Sequence, residues 1–295
     1  MKSFVDEFKA FLKETKKCSD NTFDAYVRDV EHFLRYCTEK GIGSLNEVKS
    51  DDITDYLGLI KSNGKSAATK TRITASIRCY FGFLKAKSFV KTNCAQSIKN
   101  PRNERVMPEI LTSNEVLSLL SQPDSSDYKG MRDKAMLELL YATGIKVSEL
   151  IELEVTDVNL QIGILHVRSK QHERIVPIYP AAVKHIGEYI GIARPALIND
   201  SEEKKLFTNY NGKPMSRQGF WKIIKYYSKK AGINKDITPQ TIRHSFAAHL
   251  LENGAQLGDI RDMLGHNDIS STQVYAQIVK SKYVQSYAKF HPLAK

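Results

Sequence analysis

The chain runs to 295 residues and carries 44 basic against 33 acidic side chains, a formal charge of +11. That length accommodates two domains, each with its own core, and the positive excess points to a polyanionic partner, nucleic acid or an anionic membrane surface. No apolar run approaches the roughly eighteen residues of a membrane span, the charged start M-K-S-F-V-D-E-F-K excludes a secretory signal, and four cysteines without C-x-x-C pairing read as reduced thiols, so the expectation is a cytoplasmic protein.

Apolar residues at helical spacing open the chain: Phe4, Phe8 and Phe11 on one helix, then Tyr26, Val30, Phe33 and Leu34 on a second, with Asn21 as its expected cap. A third helix is expected from Ser50 or Asp51, and a fourth from Ser66, with Ile73, Ile77, Phe81 and Leu84 on one stripe. No strand-like alternation precedes residue 100, so residues 1–100 read as a small helical bundle. Between residues 61 and 105 stand eleven basic residues and a single acidic one, Glu104. A solvated face normally mixes signs; this one suits phosphates, with Lys65, Lys70, Arg72 and Arg78 as the expected DNA contacts. Gly64-Lys65-Ser66 imitates the end of a phosphate-binding loop, but the glycine spacing and the helical segment before it are wrong for one.

Residues 101–109, with two prolines and no periodicity, read as a linker, and residues 110–295 as a second domain. Thr112 and Glu115 form a capping box, a longer helix runs from about Met131 to the stop at Gly144, and G-I-L-H-V and R-I-V-P-I look like two strands joined by the polar turn S-K-Q-H-E. The chain is helical again from Ala181, and Ser216 caps a helix that begins with Arg217, a cation placed to meet a phosphate. The fold expected is mainly α with a small antiparallel β-sheet in this second domain.

The chemistry concentrates near the C-terminus. Thr238-Pro239 is a helix start, a hydroxyl cap followed by a proline where no amide hydrogen is needed. Gln240 and Arg243, three apart, leave neighbouring points on that helix, Gly254 stops it, Gly265-His266 ends the next, and Ser270 or Ser271 caps a third that carries Tyr275. A guanidinium, an imidazole and a phenol on three successive short elements suit a phosphodiester: one grips oxygens, one donates a hydrogen bond, one supplies a nucleophile. His249 falls on the apolar face and reads as a packed core histidine, and Glu149 as a helix cap or surface pair.

The strings T-I-R-H-S-F-A-A-H-L-L and L-G-H-N-D-I-S-S-T-Q-V-Y resemble the tyrosine recombinase (phage integrase) family, its Xer-type members above all. The resemblance implies a helical, SAM-like core-binding domain and a catalytic domain that clamp double-stranded DNA and work as a homo- or hetero-tetramer on two sites, with no metal and no cofactor. It makes Tyr275 the nucleophile of a 3′-phosphotyrosine intermediate, Arg243 a phosphate clamp, His266 the family's histidine-or-tryptophan position, and Lys170 the acid to the leaving 5′ oxygen. It also has an apolar stripe in the tail, Tyr283, Val284, Tyr287 and Phe290, dock on a neighbouring protomer.

Two positions depart from the family pattern. A-T-G-I-K-V-S-E-L places Lys146 where the family has an arginine, keeping the charge but losing the planar fork. Q-T-I-R places Gln240 where the family has a histidine, and an amide donates a hydrogen bond but cannot exchange a proton near neutral pH. The reading is a site-specific DNA recombinase. Its rivals are a DNA-binding relative with weakened cleavage and a relaxing topoisomerase of the same chemistry.

Overall fold

A computed structural model describes residues 4–98, 107–168, 173–266 and 272–277. The chain divides into two compact units, Met1–Arg105 and Val106–Lys295.

Among its described residues the first unit's regular structure is helical throughout: α1 (Val5–Glu14), α2 (Asp20–Glu39), α3 (Ser50–Ser62) and α4 (Ala67–Ala86). Its core is aromatic. Phe8, Phe33, Tyr80 and Phe81 are fully buried, with Phe8 and Tyr80 meeting edge-to-face at 5.1 Å between ring centroids. The cap of α2 lies two residues before the expected one: the Ser19 hydroxyl accepts from the Thr22 N–H, and Asn21 lies inside the first turn. Either residue type can cap, and Ser19 comes first, so the helix starts there. Ser66 caps α4 as expected, accepting from the Thr69 N–H at 3.2 Å.

The second unit begins, among its described residues, with α5 (Ser113–Leu120) behind the Thr112–Glu115 capping box. α6 (Tyr128–Thr143) runs through the core and packs on later helices, buried nearly all round. It therefore carries internal charges that are paired: Arg132 with Asp133 at 2.7 Å, Lys134 with Glu138 at 3.1 Å. A short α7 (Val147–Glu152) leads to an antiparallel sheet of β1 (Val158–Asn159), β2 (Ile164–Arg168) and β3 (Glu173–Pro177), in that order, with Leu165 opposite Val176. α8 (Pro180–Glu188) continues through a π-turn (Tyr189–Ala193) into α9 (Arg194–Leu197). Then come α10 (Arg217–Lys230), α11 (Pro239–Glu252), α12 (Leu257–Leu264) and a helical turn at 273–277.

The architecture is thus mainly α with a small antiparallel sheet. The β2–β3 turn that holds Lys170, residues 101–106 of the expected linker, the expected caps Ser270 and Ser271, and the tail stripe from Tyr283 lie outside the described residues.

Candidate active site

α11 sets the geometry. The Thr238 hydroxyl accepts from the Thr241 N–H at 3.1 Å, and Pro239 occupies the first helical position, so the first turn is fixed in direction. Gln240 is left exposed on that turn, and Arg243, one turn on, points inward at 2 % exposure.

The Arg243 guanidinium joins the C-terminal ends of two helices. It donates to the carbonyl of Gly144, which caps α6, and from Nη2 to the carbonyl of Leu264 at 2.8 Å, the last residue of α12. Helix C-termini present unpaired carbonyls and partial negative charge, which offsets the cost of burying a cation. Gly144 must be glycine here. It has φ +58°, and a Cβ would stand 2.3 Å from Phe246 Cδ1.

A third Arg243 bond runs from Nη2 to His266 Nε2 at 2.9 Å. A guanidinium only donates, so Nε2 is the acceptor, and Nδ1 carries the proton that bonds Thr272 Oγ1 at 3.1 Å. Burial first, then the charges of Arg243 and Lys146, lowers the His266 pKa to about 4, so the ring is neutral near pH 7. Its expected role as donor to a phosphate requires protonation at Nε2. A bound anion favours that by offsetting the Arg243 charge.

Tyr275 is buried at 1 % exposure, in a cluster with Phe246, Ala247, Ile260 and Leu264. Its hydroxyl lies 2.9 Å from Nδ1 of His244, the residue after Arg243. Burial raises the phenol pKa, and the Arg243 charge pulls in the opposite direction. By sequence His244 is no obvious rescue for the histidine missing at Gln240, since the motif it resembles commonly has a histidine directly after that arginine; this hydrogen bond is its signal.

Lys146 is exposed at the N-cap of α7, and its N–H donates to Glu149 Oε2 at 2.8 Å. Glu149 is more than a cap or a surface pair. Its side chain is 9 % exposed and takes both ends of the Arg174 fork at 3.0 and 2.8 Å, while Arg174 Nε bonds the Met263 carbonyl at 2.7 Å. This pair ties the start of α7, β3 and the end of α12 into one frame around Lys146 and His266. Gly265 (φ +65°) lies so close that a Cβ would meet Arg174 Nη1 at 2.7 Å. Burial alone would raise the Glu149 carboxyl; Arg174 and the Lys146 N–H hold it below its ordinary value. Arg174→Met leaves that carboxylate buried without its partner, at an expected cost of about 3–5 kcal/mol. Denaturant unfolding should report it, and an unchanged midpoint would remove Arg174 from the frame.

His249 is the packed histidine its position suggested, 8 % exposed, donating from Nε2 to the Leu111 carbonyl and bonded through Nδ1 to the Tyr141 hydroxyl, both at 2.9 Å. The structure joins Arg243 to His266, whose ring also feels the Lys146 charge, and joins Tyr275 to α11 through His244; Gln240 is exposed one turn from Arg243.

In the first unit, Lys65 and Arg78 are exposed and Lys70 is partly so; none of them, nor the exposed Arg217 on α10, forms an ion pair with a carboxylate among the described residues. Arg72, expected among the DNA-facing cations, keeps a side chain 37 % exposed but also has a structural partner. It is paired with Asp29 of α2, a carboxylate 4 % exposed that also accepts from Ser76 Oγ at 2.8 Å. A buried carboxylate must be paired, and Arg72 is the cation in reach.

Residues 109–282 match the model of the phage integrase family, and residues 5–88 that of the phage integrase N-terminal SAM-like domain. Over all 295 residues the chain is 41 % identical to the tyrosine recombinase XerD of Staphylococcus epidermidis and to that of Staphylococcus aureus, with 100 % of each chain covered. Among solved structures it is similar to XerA recombinase, at 26 % identity and a TM-score of 0.56 with 99 % of each chain covered. It is also similar in fold to the XerH site-specific recombinase bound to a palindromic difH substrate, at 18 % identity and a TM-score of 0.79, covering 96 % of this chain and 84 % of that one.

Proposed function

The chain belongs to the phage integrase family as a Xer-like tyrosine recombinase, and from that premise we propose that Tyr275 is its nucleophile and that Arg243, His266, Lys146 and Gln240 receive the scissile phosphate. The protein is a site-specific DNA recombinase of the tyrosine type. The observation that carries the residue roles is Arg243: a cation 2 % exposed, held between two helix C-termini, bonded to His266 and adjoining the residue that holds Tyr275. Such a preorganised donor is worth most where charge builds on the non-bridging oxygens of the transition state.

In the proposed reaction the Tyr275 oxygen attacks phosphorus, the 5′ oxygen leaves with a proton from Lys170, and the phosphotyrosine stores the bond until a 5′ hydroxyl of another strand displaces it. Double-stranded DNA is the substrate, at paired sites held by a homo- or hetero-tetramer, in the cytoplasm. Nothing in the site favours a protein reduced to binding DNA. Incubation with a nicked suicide substrate, followed by strand exchange between two labelled sites, tests the whole reading: covalent adducts and recombinant product are expected, and relaxation without exchange would point to a topoisomerase.

Lys65, Lys70 and Arg78 are proposed to lie against phosphates. Changing all three to glutamate should weaken binding and reduce the slope of log K against log salt by about one for each phosphate no longer neutralised. Arg72 is left out of this test because its loss strips Asp29 of its partner. An unchanged slope would place the three cations away from DNA.

A further inference from the structure

We propose that His244 is the general base that takes the phenolic proton of Tyr275 during strand cleavage, the proton exchange that Gln240 cannot perform. The inference rests on Tyr275 being the nucleophile.

Geometry comes first. His244 Nδ1 is 2.9 Å from the Tyr275 oxygen, within the reach a general base requires. Among the described residues it is the phenol oxygen's hydrogen-bond partner, and at 1 % exposure the side chain is shielded from bulk water as an alternative acceptor. The other histidines nearby are engaged: His266 accepts from Arg243 and bonds Thr272, and both nitrogens of His249 are held by Tyr141 and Leu111. Gln240 is exposed and, being an amide, has no proton-accepting form near neutral pH.

The electrostatics fit the timing. The phenol is protonated and the imidazole neutral, so Tyr275 donates and Nδ1 accepts. Burial first, then the Arg243 charge, holds the His244 pKa at about 4 in the free protein. A phosphodiester gripped by Arg243 offsets that charge, so the imidazole becomes more basic when the substrate arrives. His244 is half-buried, and its Nε2 has no hydrogen-bond partner among the described residues, so its proton can pass on to solvent.

The step balances. The Tyr275 oxygen forms its bond to phosphorus as the P–O5′ bond breaks; the phenolic proton moves to His244 Nδ1, and the leaving 5′ oxygen receives a proton from the acid assigned to Lys170. On rejoining, a 5′ hydroxyl bonds phosphorus and gives its proton to Lys170 as the P–O bond to Tyr275 breaks, and the Nδ1–H of His244 returns a proton to the tyrosine oxygen.

Single-turnover cleavage of a nicked suicide substrate tests the proposal with His244→Ala and His244→Asn. Asparagine keeps an acceptor for the phenol but takes no proton, and it carries the test if alanine fails to fold. Both variants should bind DNA normally and cleave at least about a hundredfold more slowly. The defect should persist on a substrate with sulfur at the bridging 5′ position, whose thiolate leaves without a proton. An alanine variant with unchanged rate, an asparagine variant within about threefold of the parent, or full rescue by the sulfur substrate would each overturn the assignment. Tyr275→Phe runs alongside: adducts in that variant would refute the nucleophile itself, whereas a dead phenylalanine variant beside an unimpaired alanine variant refutes the base alone.

Discussion

Tyr275→Phe should form no covalent DNA adduct and no recombinant product, while binding DNA as the parent does. The substitution removes one oxygen and leaves the ring among Phe246, Ile260 and Leu264. The hydrogen bond removed is the one to His244, and a typical intramolecular hydrogen bond contributes a net of about 0.5–1.5 kcal/mol, so the fold should survive. The chemistry should not survive. Arg243, His266 and Lys146, the groups proposed to receive the phosphate, would remain, but no oxygen would be left to attack it. Denaturing gels of the reaction with a labelled suicide substrate would read the outcome, with melting temperature and DNA affinity as controls for folding. Adducts in the phenylalanine variant would move the nucleophile elsewhere in the chain.

The stretch from Thr238 to Gly265 was legible because its signals are local. Thr238-Pro239, Gly254 and Gly265 mark helix ends through backbone chemistry that each residue carries by itself, and the helices stand where those marks put them. The β2–β3 pair was legible from alternation in two short runs. What stayed hidden depends on partners distant in sequence. His244 and Tyr275 are 31 residues apart, and their hydrogen bond depends on how the turn at 273–277 meets α11. Arg174 and Glu149 are 25 apart, and nothing in either segment marks the other. By sequence Arg72 is one more cation on a basic helix; in the fold Asp29, 43 residues earlier, is buried beside it. The start of α6 at Tyr128, ahead of the expected Met131, is set by a local cap instead: the Asp127 carboxylate accepts from the Gly130 N–H at 2.6 Å.

Lys146→Arg should raise the cleavage rate about ten- to a hundredfold, a lowering of the barrier by about 1.4–2.7 kcal/mol. Lysine presents one compact charge on a flexible stem, whereas arginine holds two phosphate oxygens in a fixed plane. Losing a single donor to the oxyanion of a transition state typically costs about 2.7–4 kcal/mol; Lys146 keeps its charge, so the expected gain is smaller than that. Space favours the change: residue 146 is exposed, and its backbone is already fixed by Glu149 at the start of α7. Arg174 does not fill the gap. Its charge reaches Arg243 and His266, but its fork is closed on Glu149 and its Nε on Met263. Gln240→His, one turn from Arg243 and equally exposed, should add less, because the amide already donates a hydrogen bond and His244 is proposed to take the proton. Both side chains would share one phosphate, so the double variant need not show the sum of the two gains. Single-turnover rates on the suicide substrate at saturating enzyme would separate the contributions. A rate that stays flat or falls in Lys146→Arg would show a pocket fitted to lysine, with Arg243 and His266 alone carrying the phosphate's charge.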